Sequence, residues 1–262
     1  MMPRAKKHFG QNWLIDETVV KKMIEAAQIQ AGETVLEVGP GTGVLTQALV
    51  DAGARVTAVE ADTSLIGPLR DKFGDAIELI EGDVLSSSYN LPSTTYKLIA
   101  NIPYNITSDL LRRFLTQEPR PTRLVIMVQK EVADRIVAIP PDMSLLSVVC
   151  QVYAQCRRVA NVPAGAFRPI PKVDSAIVRL DVSLKPTTYP LQPESVIALA
   201  KLGFSSRRKQ LHGNLKSLLG IDSQQVKKAL EGLELATTVR AEELSVENWI
   251  ELASKLNPSR GA

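Results

Sequence analysis

The chain of 262 residues contains few cysteines and histidines, on which many enzymes depend. Its two cysteines, Cys150 and Cys156, are too few for a disulfide framework or a zinc knuckle, and we expect both to be reduced. Its two histidines, His8 and His212, exclude a histidine-rich zinc site and most histidine-based triads. The sequence therefore predicts no metal centre, and catalysis has to depend on other side chains or on a cofactor.

Long apolar runs are also missing. No stretch reaches the ~18 apolar residues that a membrane span requires. The basic start of the chain, MMPRAKKHFG, is not followed by the apolar stretch of a signal peptide. We therefore expect a soluble, cytoplasmic protein with no membrane partner. With 45% hydrophobic residues, the chain is long enough for one sizeable core and a smaller appendage.

Acidic residues are absent between positions 195 and 221. The basic residues of that stretch are Lys201, Arg207, Arg208, Lys209 and Lys216, and a second basic cluster consists of Arg4, Lys6 and Lys7. Clusters of this kind bind anionic partners such as nucleic acid, or form a solvated helix face. The net charge of +3 does not separate the two interpretations.

Apolar periodicity predicts an α/β fold. Strand-like and helix-like segments alternate from about residue 16 to 182, beginning with a helix that Asp16 caps. This alternation indicates a parallel sheet with helices on both faces, and two consecutive strands at its end, in VYAQCRRVANV and SAIVRLDV, would add an antiparallel hairpin. Prolines in KPTTYPLQP then mark a boundary. The predicted domains are 1–185, with the sheet, and 186–262, all helical.

Three successive strand ends carry ligand-binding residues. The first ends in VGPGTG, whose Gly39 and Gly41 would let a ligand approach the backbone at a helix N-terminus. Glu60 closes the next strand and could accept both hydroxyls of a ribose. Asp83 follows the third strand and could accept from the amine of an adenine. This ordered set resembles the nucleoside site of class I S-adenosylmethionine-dependent methyltransferases, and implies their Rossmann-like, seven-stranded, mostly parallel sheet with an antiparallel last strand.

The segment NIPYNIT follows a fourth strand and predicts an acceptor site. Asn101 offers an amide oxygen, Pro103 fixes the backbone, and Tyr104 offers a ring on which a base can stack. The Asn101 oxygen and a nearby carbonyl, that of Ile102 or Pro103, could accept the two hydrogens of an exocyclic amine. These bonds would aim its lone pair at the methyl group. The segment matches the acceptor motif of methyltransferases that act on the amino group of adenine.

Motifs outside the sheet narrow the resemblance. KKHFGQNWLID (6–16) is similar to the N-terminal motif of the ribosomal RNA adenine dimethyltransferases, and FRPIPKVDSAIVRL (167–180) to their signature before the last strand. GFSSRRKQLHGNL (203–215) resembles the basic helix of their small-subunit branch. Trp13 stands where the family usually has Phe, and SLLSV replaces a more usual run, so substrate fit could differ.

The resemblance implies roles for particular residues. The cofactor site would comprise Gln11, Asn12, Leu14, Gly39, Gly41, Glu60, Asp83, Val84 and Asn101. Phe167 would clamp the target base against Tyr104, which with Asn101 and Pro103 makes the catalytic set. Contacts to RNA phosphates would come from Lys6, Lys7, Arg207, Arg208 and Lys209.

The same resemblance implies a substrate and rivals to it. The expected reaction is N6,N6-dimethylation of two adjacent adenosines in the 3′-terminal hairpin loop of 16S rRNA, within a small-subunit assembly particle, by a monomer. One alternative is a macrolide-resistance methyltransferase of large-subunit rRNA, against which SSRRKQL argues. Another is a ribosome-assembly binding factor whose methyl transfer is secondary, which would be favoured by a broken acceptor loop or cofactor set.

Overall fold

A computed structural model gives the fold. It describes residues 3, 5–6, 10–86, 94–182, 192–206, 208–219 and 222–256, with the backbone alone for 217–219. Lys7 and Arg207, two of the predicted RNA contacts, lie outside the described residues. Tertiary contacts divide the chain into two compact units, 1–133 with 155–184 and 134–154 with 185–262.

Within the described residues, the first unit contains a seven-stranded sheet of order β4-β3-β2-β5-β6-β9-β7. Its strands are β2 (Thr34–Val38), β3 (Arg55–Glu60), β4 (Ile77–Glu81), β5 (Tyr96–Asn101), β6 (Arg123–Gln129), β7 (Ala154–Val162) and β9 (Ser175–Val182). Strands β2 to β6 pair in parallel, and β9 pairs antiparallel with β6, from Arg123 opposite Asp181 to Gln129 opposite Ser175. The predicted mostly parallel α/β sheet with an antiparallel last strand is confirmed.

Helices precede, connect or follow the parallel strands and contribute to the core. They are α1 (Glu17–Ala27), α2 (Val44–Asp51), α3 (Thr63–Phe73), α4 (Thr107–Thr116) and α5 (Lys130–Ile136), of which α5 crosses the boundary between the units. Asp16 caps α1 as predicted, since its carboxylate accepts from the Thr18 amide at 2.8 Å. The buried face of α1 comprises Val19, Val20, Met23, Ala26 and Ala27.

A second, two-stranded sheet was not predicted. It joins β1 (Trp13–Leu14) to β8 (Phe167–Arg168) in antiparallel register, with Leu14 opposite Phe167. Two residues are too short for an alternating pattern to be recognised in the sequence. This pairing brings the N-terminal motif and the segment before the last strand together, although they lie far apart in the chain.

The second unit is helical. It contains α6 (Leu145–Tyr153), α7 (Pro193–Gly203), α8 (Leu211–Leu219), α9 (Ser223–Glu231) and α10 (Val246–Leu256), packed around the buried Trp249. The sequence prediction assigned residues 134–154 to the first domain, whereas their contacts place them in this unit because α6 packs against α7 and α10. A capping box between Ser144 and Ser147 begins α6, and the helix continues through Val152 and Tyr153, which the sequence prediction assigned to a strand.

The predicted basic helix is shorter than the sequence indicated. Arg208 and Lys209 are exposed and precede α8, in the connection from α7. The side chain of buried Asn214 donates to the carbonyls of Gly203 and Ser206, at 2.6 and 3.0 Å, and so stabilises this connection as a loop. In the part of the chain that the structure describes, no helix has the length and apolar character needed to cross a lipid bilayer.

Candidate active site

A cavity of about 770 Å³ opens at the carboxyl ends of the parallel strands in the first unit. Its position follows from the strand order, because β2 pairs with β3 on one side and with β5 on the other. The connections from β2 and β5 leave in opposite directions, and ligands of open α/β sheets bind in the crevice that this reversal creates. The predicted residues that line the cavity are Gln11, Asn12, Leu14, Gly39, Gly41, Glu60, Asp83, Val84, Asn101, Pro103, Tyr104 and Phe167.

The turn between β2 and α2 presents backbone to the cavity. Gly39 has a φ of +69°, and an added Cβ there would meet nothing within 4 Å, so the space in front of it is open to a ligand. Gly41 has a φ of +59°, and its Cβ would lie 3.0 Å from the indole of Trp13. Both positions favour glycine because their φ is positive, and at Gly41 the packed indole also leaves little room for a side chain.

Glu60 lies at the end of β3 and is 6% exposed. Its Oε2 accepts from the Gly41 amide at 3.1 Å, and its Oε1 accepts from the Asp62 amide at 2.8 Å. Burial raises the pKa of Glu60, although these backbone donors oppose the effect. Each oxygen keeps acceptor capacity, so the carboxylate is oriented and can still bind a pair of hydroxyls.

The turn after β4 contains Asp83 and Val84. The Asp83 Oδ1 accepts from the Leu85 amide at 2.8 Å, while Val84 is buried beside it. Arg113, on α4, holds the same turn, because its Nη1 donates to the carbonyls of Leu85 and Ser86 at 3.2 and 2.9 Å. Arg113 therefore connects the helix that follows the acceptor motif to the strand end predicted to bind adenine.

The acceptor motif lines the same cavity. Asn101 ends β5, and the next residues form a single 3-10 turn, Tyr104–Ile106, in which the Pro103 carbonyl accepts from the Ile106 amide at 3.1 Å. The Tyr104 hydroxyl lies 2.7 Å from the Ser175 Oγ at the start of β9. Burial raises the pKa of Tyr104, so the phenol stays protonated while its ring is held in place.

Phe167 is a deeply buried ring of the cavity wall. The sequence predicts it to be an aromatic face that clamps the target base, and this role stays a prediction; the residue is 1% exposed and belongs to the core of the first unit. The pairing of β8 with β1 causes this burial, since it places Phe167 opposite the buried Leu14. Its ring lines the cavity as a wall, and Tyr104 is the half-buried ring of the two.

Lys6 and Gln11, two residues of the N-terminal motif with predicted ligand contacts, form hydrogen bonds within the protein. Lys6 was expected to bind RNA, but its Nζ lies 2.6 Å from the Asp62 carboxylate. Gln11 was expected to bind the cofactor, but its amide donates to Asp62 at 2.8 Å and accepts from the Lys6 backbone at 2.7 Å. These contacts arise because the segment folds back over α3, which no local pattern in the sequence indicates.

Glu37 is a cavity residue that the sequence reasoning missed. It lies on β2, is 1% exposed, and its Oε2 has no hydrogen-bond partner among the described residues. Burial raises its pKa to about 8. A signal was available, because an acid inside the apolar strand TVLEV is uncommon unless it is paired or functional.

The residues that line the cavity fit S-adenosylmethionine. The buried Glu37 carboxyl has an oxygen without a hydrogen-bond partner among the described residues, and it lies in the same cavity as Glu60. A cationic amino acid group would satisfy the first carboxyl and a ribose the second. Among the described residues, no group of three or more His, Cys, Asp or Glu side chains is arranged to hold a metal ion.

The fold and the cavity define a class I methyltransferase, and comparisons with known proteins specify which one. The chain belongs to the ribosomal RNA adenine dimethylase family, whose model matches residues 2–257. It is thus an S-adenosylmethionine-dependent methyltransferase that acts on adenine in rRNA.

Relatives and solved structures agree with this assignment. A ribosomal RNA small subunit methyltransferase A from Acaryochloris marina is 43% identical over 99% of this chain and 100% of its own length. One from Thermosynechococcus vestitus is 44% identical, over 97% of this chain and 98% of its own length. The structure of a dimethyladenosine transferase from Plasmodium falciparum matches with a TM-score of 0.79 and 28% identity, over 91% of this chain and 95% of that one. The structure of 23S rRNA methyltransferase ErmE matches with the same TM-score and identity, over 94% of this chain and 99% of that one.

Proposed function

We propose that this protein dimethylates the N6 atoms of two adjacent adenosines in the 3′-terminal hairpin loop of 16S rRNA. The substrate is a small-subunit assembly particle, and the enzyme acts in the cytoplasm as a monomer. The proposal rests on the presence of Asn101 and Tyr104 in one cavity with Glu60 and Asp83. An acceptor wall and a nucleoside site that face each other are what transfer of a methyl group to an amine requires.

The small-subunit substrate is supported by sequence identity rather than by the fold. The dimethyladenosine transferase and the 23S rRNA methyltransferase match equally well in structure, at a TM-score of 0.79. The relatives named as small-subunit enzymes are 43% and 44% identical over nearly the whole chain, against 28% for the 23S enzyme.

The acceptor wall orients the amine. The Asn101 side-chain oxygen accepts one hydrogen of the exocyclic amine, and the Ile102 carbonyl accepts the other. Ile102 is the better of the two carbonyls considered, because the Pro103 carbonyl already accepts from the Ile106 amide. With both hydrogens held, the nitrogen lone pair points into the cavity. The second methylation proceeds with one of these hydrogen bonds, because a monomethylated amine keeps one hydrogen.

The ring of Tyr104 holds the target base, in a contact worth about 1–3 kcal/mol. Its hydroxyl bond to Ser175 fixes the ring orientation before the base arrives, and Phe167 forms the apolar wall behind it. Bases in an RNA loop can leave their stack and enter such a pocket.

Several residues of the cavity would hold the cofactor. Glu60 would accept the ribose hydroxyls, Asp83 would accept from the adenine amine, and Val84 would pack beside the ring. Gly39, Gly41, Asn12 and Leu14 would surround the remainder. When bound, S-adenosylmethionine supplies the electrophilic methyl group. Catalysis consists of positioning and electrostatics, and the methylated amine loses its proton to water because the product ammonium is acidic.

The RNA is held by basic residues of the helical unit. Arg208 and Lys209 are exposed and have no acidic neighbour in the sequence from 195 to 221. Contacts to phosphates release counterions and make the affinity fall as salt rises. Arg207 belongs to the same basic segment and is included in the proposal on its sequence alone.

Methyl transfer from radiolabelled cofactor to unmethylated 30S particles, followed by mapping of the modified nucleotides, tests the function. We expect label on two adjacent adenosines near the 3′ end of 16S rRNA. Label on naked 23S rRNA and none on 30S particles would instead assign the chain to the large-subunit group.

A further inference from the structure

The N-terminal segment, residues 5–6 and 10–14, forms one wall of the cofactor cavity. Gly10 to Leu14 line the cavity, and the indole of Trp13 packs on Gly41. Apart from β1, which pairs with β8, this segment has no regular secondary structure to hold it there. Its position therefore depends on side-chain contacts with the rest of the first unit.

Asp62 is bonded to two residues of this segment, Lys6 and Gln11. Its side chain is 2% exposed. Oδ1 accepts from the Lys6 Nζ at 2.6 Å, and Oδ2 accepts from the Gln11 Nε2 at 2.8 Å. Lys6 also donates through Nζ to the Ser64 Oγ at 2.7 Å, and through its backbone to the Gln11 Oε1 at 2.7 Å. Lys6 and Gln11 are thus bonded to each other as well as to Asp62, so their two hydrogen bonds to the carboxylate support one another.

Asp62 is also hydrogen-bonded to Glu60, the predicted ribose acceptor. The Asp62 amide donates to the Glu60 Oε1 at 2.8 Å, and the other Glu60 oxygen accepts from the Gly41 amide. A continuous set of hydrogen bonds thus runs from Lys6 through Asp62 and Glu60 to the glycine turn. Burial alone would raise the pKa of Asp62, but hydrogen bonds from Lys6, Ser64 and Gln11 hold it well below its usual range. The carboxylate is therefore charged at neutral pH.

We propose that Lys6 and Asp62 are positioning residues that clasp the N-terminal segment over the cavity and so set the affinity for the cofactor. Neither residue lines the cavity, so both act through others: Asp62 through Glu60, and Lys6 through Gln11 and the segment that follows it. The proposal concerns cofactor binding, so it stands or falls separately from the identity of the methylated RNA.

The proposal gives Lys6 a role different from phosphate binding. A lysine that pairs with a buried carboxylate is not available to an RNA phosphate without leaving that carboxylate uncompensated, which is costly. Its side chain is 37% exposed, so solvent screens the pair and moderates its effect. We expect the loss of the pair to weaken cofactor binding about three- to tenfold, within the range of a charge-assisted hydrogen bond at a partly exposed site.

The test measures binding without catalysis. Calorimetric titration with S-adenosylhomocysteine gives the Kd of the parent, Lys6→Met, Lys6→Arg, Asp62→Asn and the double variant Lys6→Met/Asp62→Asn. Lys21→Met is the matched control, since Lys21 lies on α1, pairs with Glu25 and has a side chain that is 78% exposed. RNA affinity at several salt concentrations and the thermal midpoint are recorded for the same set.

The expected result is a higher Kd for Lys6→Met, recovery in Lys6→Arg, and an unchanged Kd for the control. The double variant should bind about as weakly as the weaker single variant, because the two residues form one contact. The KM for cofactor should rise with kcat at saturation unchanged. If Asp62→Asn fails to fold, Lys6→Met alone carries the test. An unchanged Kd in Lys6→Met, with lower RNA affinity and a smaller salt slope, would overturn the proposal in favour of an RNA contact.

Discussion

Replacement of the buried acid Glu37 by Gln should change how the stability of the protein depends on pH. Glu37 is 1% exposed, has an oxygen without a partner among the described residues, and its pKa is raised from 4.5 to about 8 by burial. The nearby Thr46 hydroxyl opposes the effect of burial, repulsion from Glu60 adds to it, and attraction from Lys72 opposes it. The folded protein therefore keeps a proton on Glu37 over a pH range in which the unfolded chain has lost it.

The direction and the size follow from proton linkage. Where the folded state binds more protons than the unfolded state, the free energy of unfolding falls as pH rises. For Glu37 the contribution is fully present below about pH 4.5 and is lost by about pH 8. At about 1.4 kcal/mol for each pH unit between these values, the loss amounts to about 5 kcal/mol. Gln has the same shape and does not ionise, so Glu37→Gln should not show this loss.

Urea unfolding without cofactor, at a series of pH values from about 5 to about 8.5, measures the effect. We expect the parent and Glu37→Gln to be similarly stable at the acid end and the variant to be more stable at the alkaline end. Glu25→Gln, at an exposed position of α1, is the matched control and should follow the parent throughout. Parallel curves for the parent and Glu37→Gln would refute the reasoning, because they would mean that Glu37 ionises as it does in water.

Three further variants test the acceptor motif, the turn after β4 and the basic segment of the helical unit. Asn101→Ala should abolish methyl transfer from radiolabelled cofactor, while particle binding, measured by filter binding, is retained. Equal loss of transfer and binding would contradict the role of the amide in orienting the amine. Arg113→Ala should raise the KM for cofactor about threefold or more, because it releases the turn after β4. The control Arg70→Ala, at an exposed position of α3, should leave this KM unchanged. Equal KM values in the two variants would show that Arg113 is dispensable for the turn. Replacing Arg208 and Lys209 together by Ala should weaken particle binding and reduce its salt slope by about two, and an unchanged slope would exclude them as phosphate contacts.

The sequence by itself determined the elements whose patterns are local. The alternation of strands and helices predicted the mostly parallel sheet, and Asp16 predicted the start of α1, because capping and amphipathic periodicity involve residues a few positions apart. The order of glycine turn, Glu60, Asp83 and Asn101 along successive strands placed all of them at one cavity. Parallel strands bring their carboxyl ends to the same edge of a sheet, so position in the chain was enough.

Contacts between distant residues were decided only by the tertiary structure. The pairing of β1 with β8 buried Phe167, and the return of the N-terminal segment to the start of α3 placed the Lys6 ammonium beside the Asp62 carboxylate. Likewise α6 joined the second unit through its contacts with α7 and α10, although it precedes three strands of the first, β7, β8 and β9. Such contacts depend on which surfaces the completed fold brings together, and residue type alone does not encode the partner of a charge or the burial of a ring.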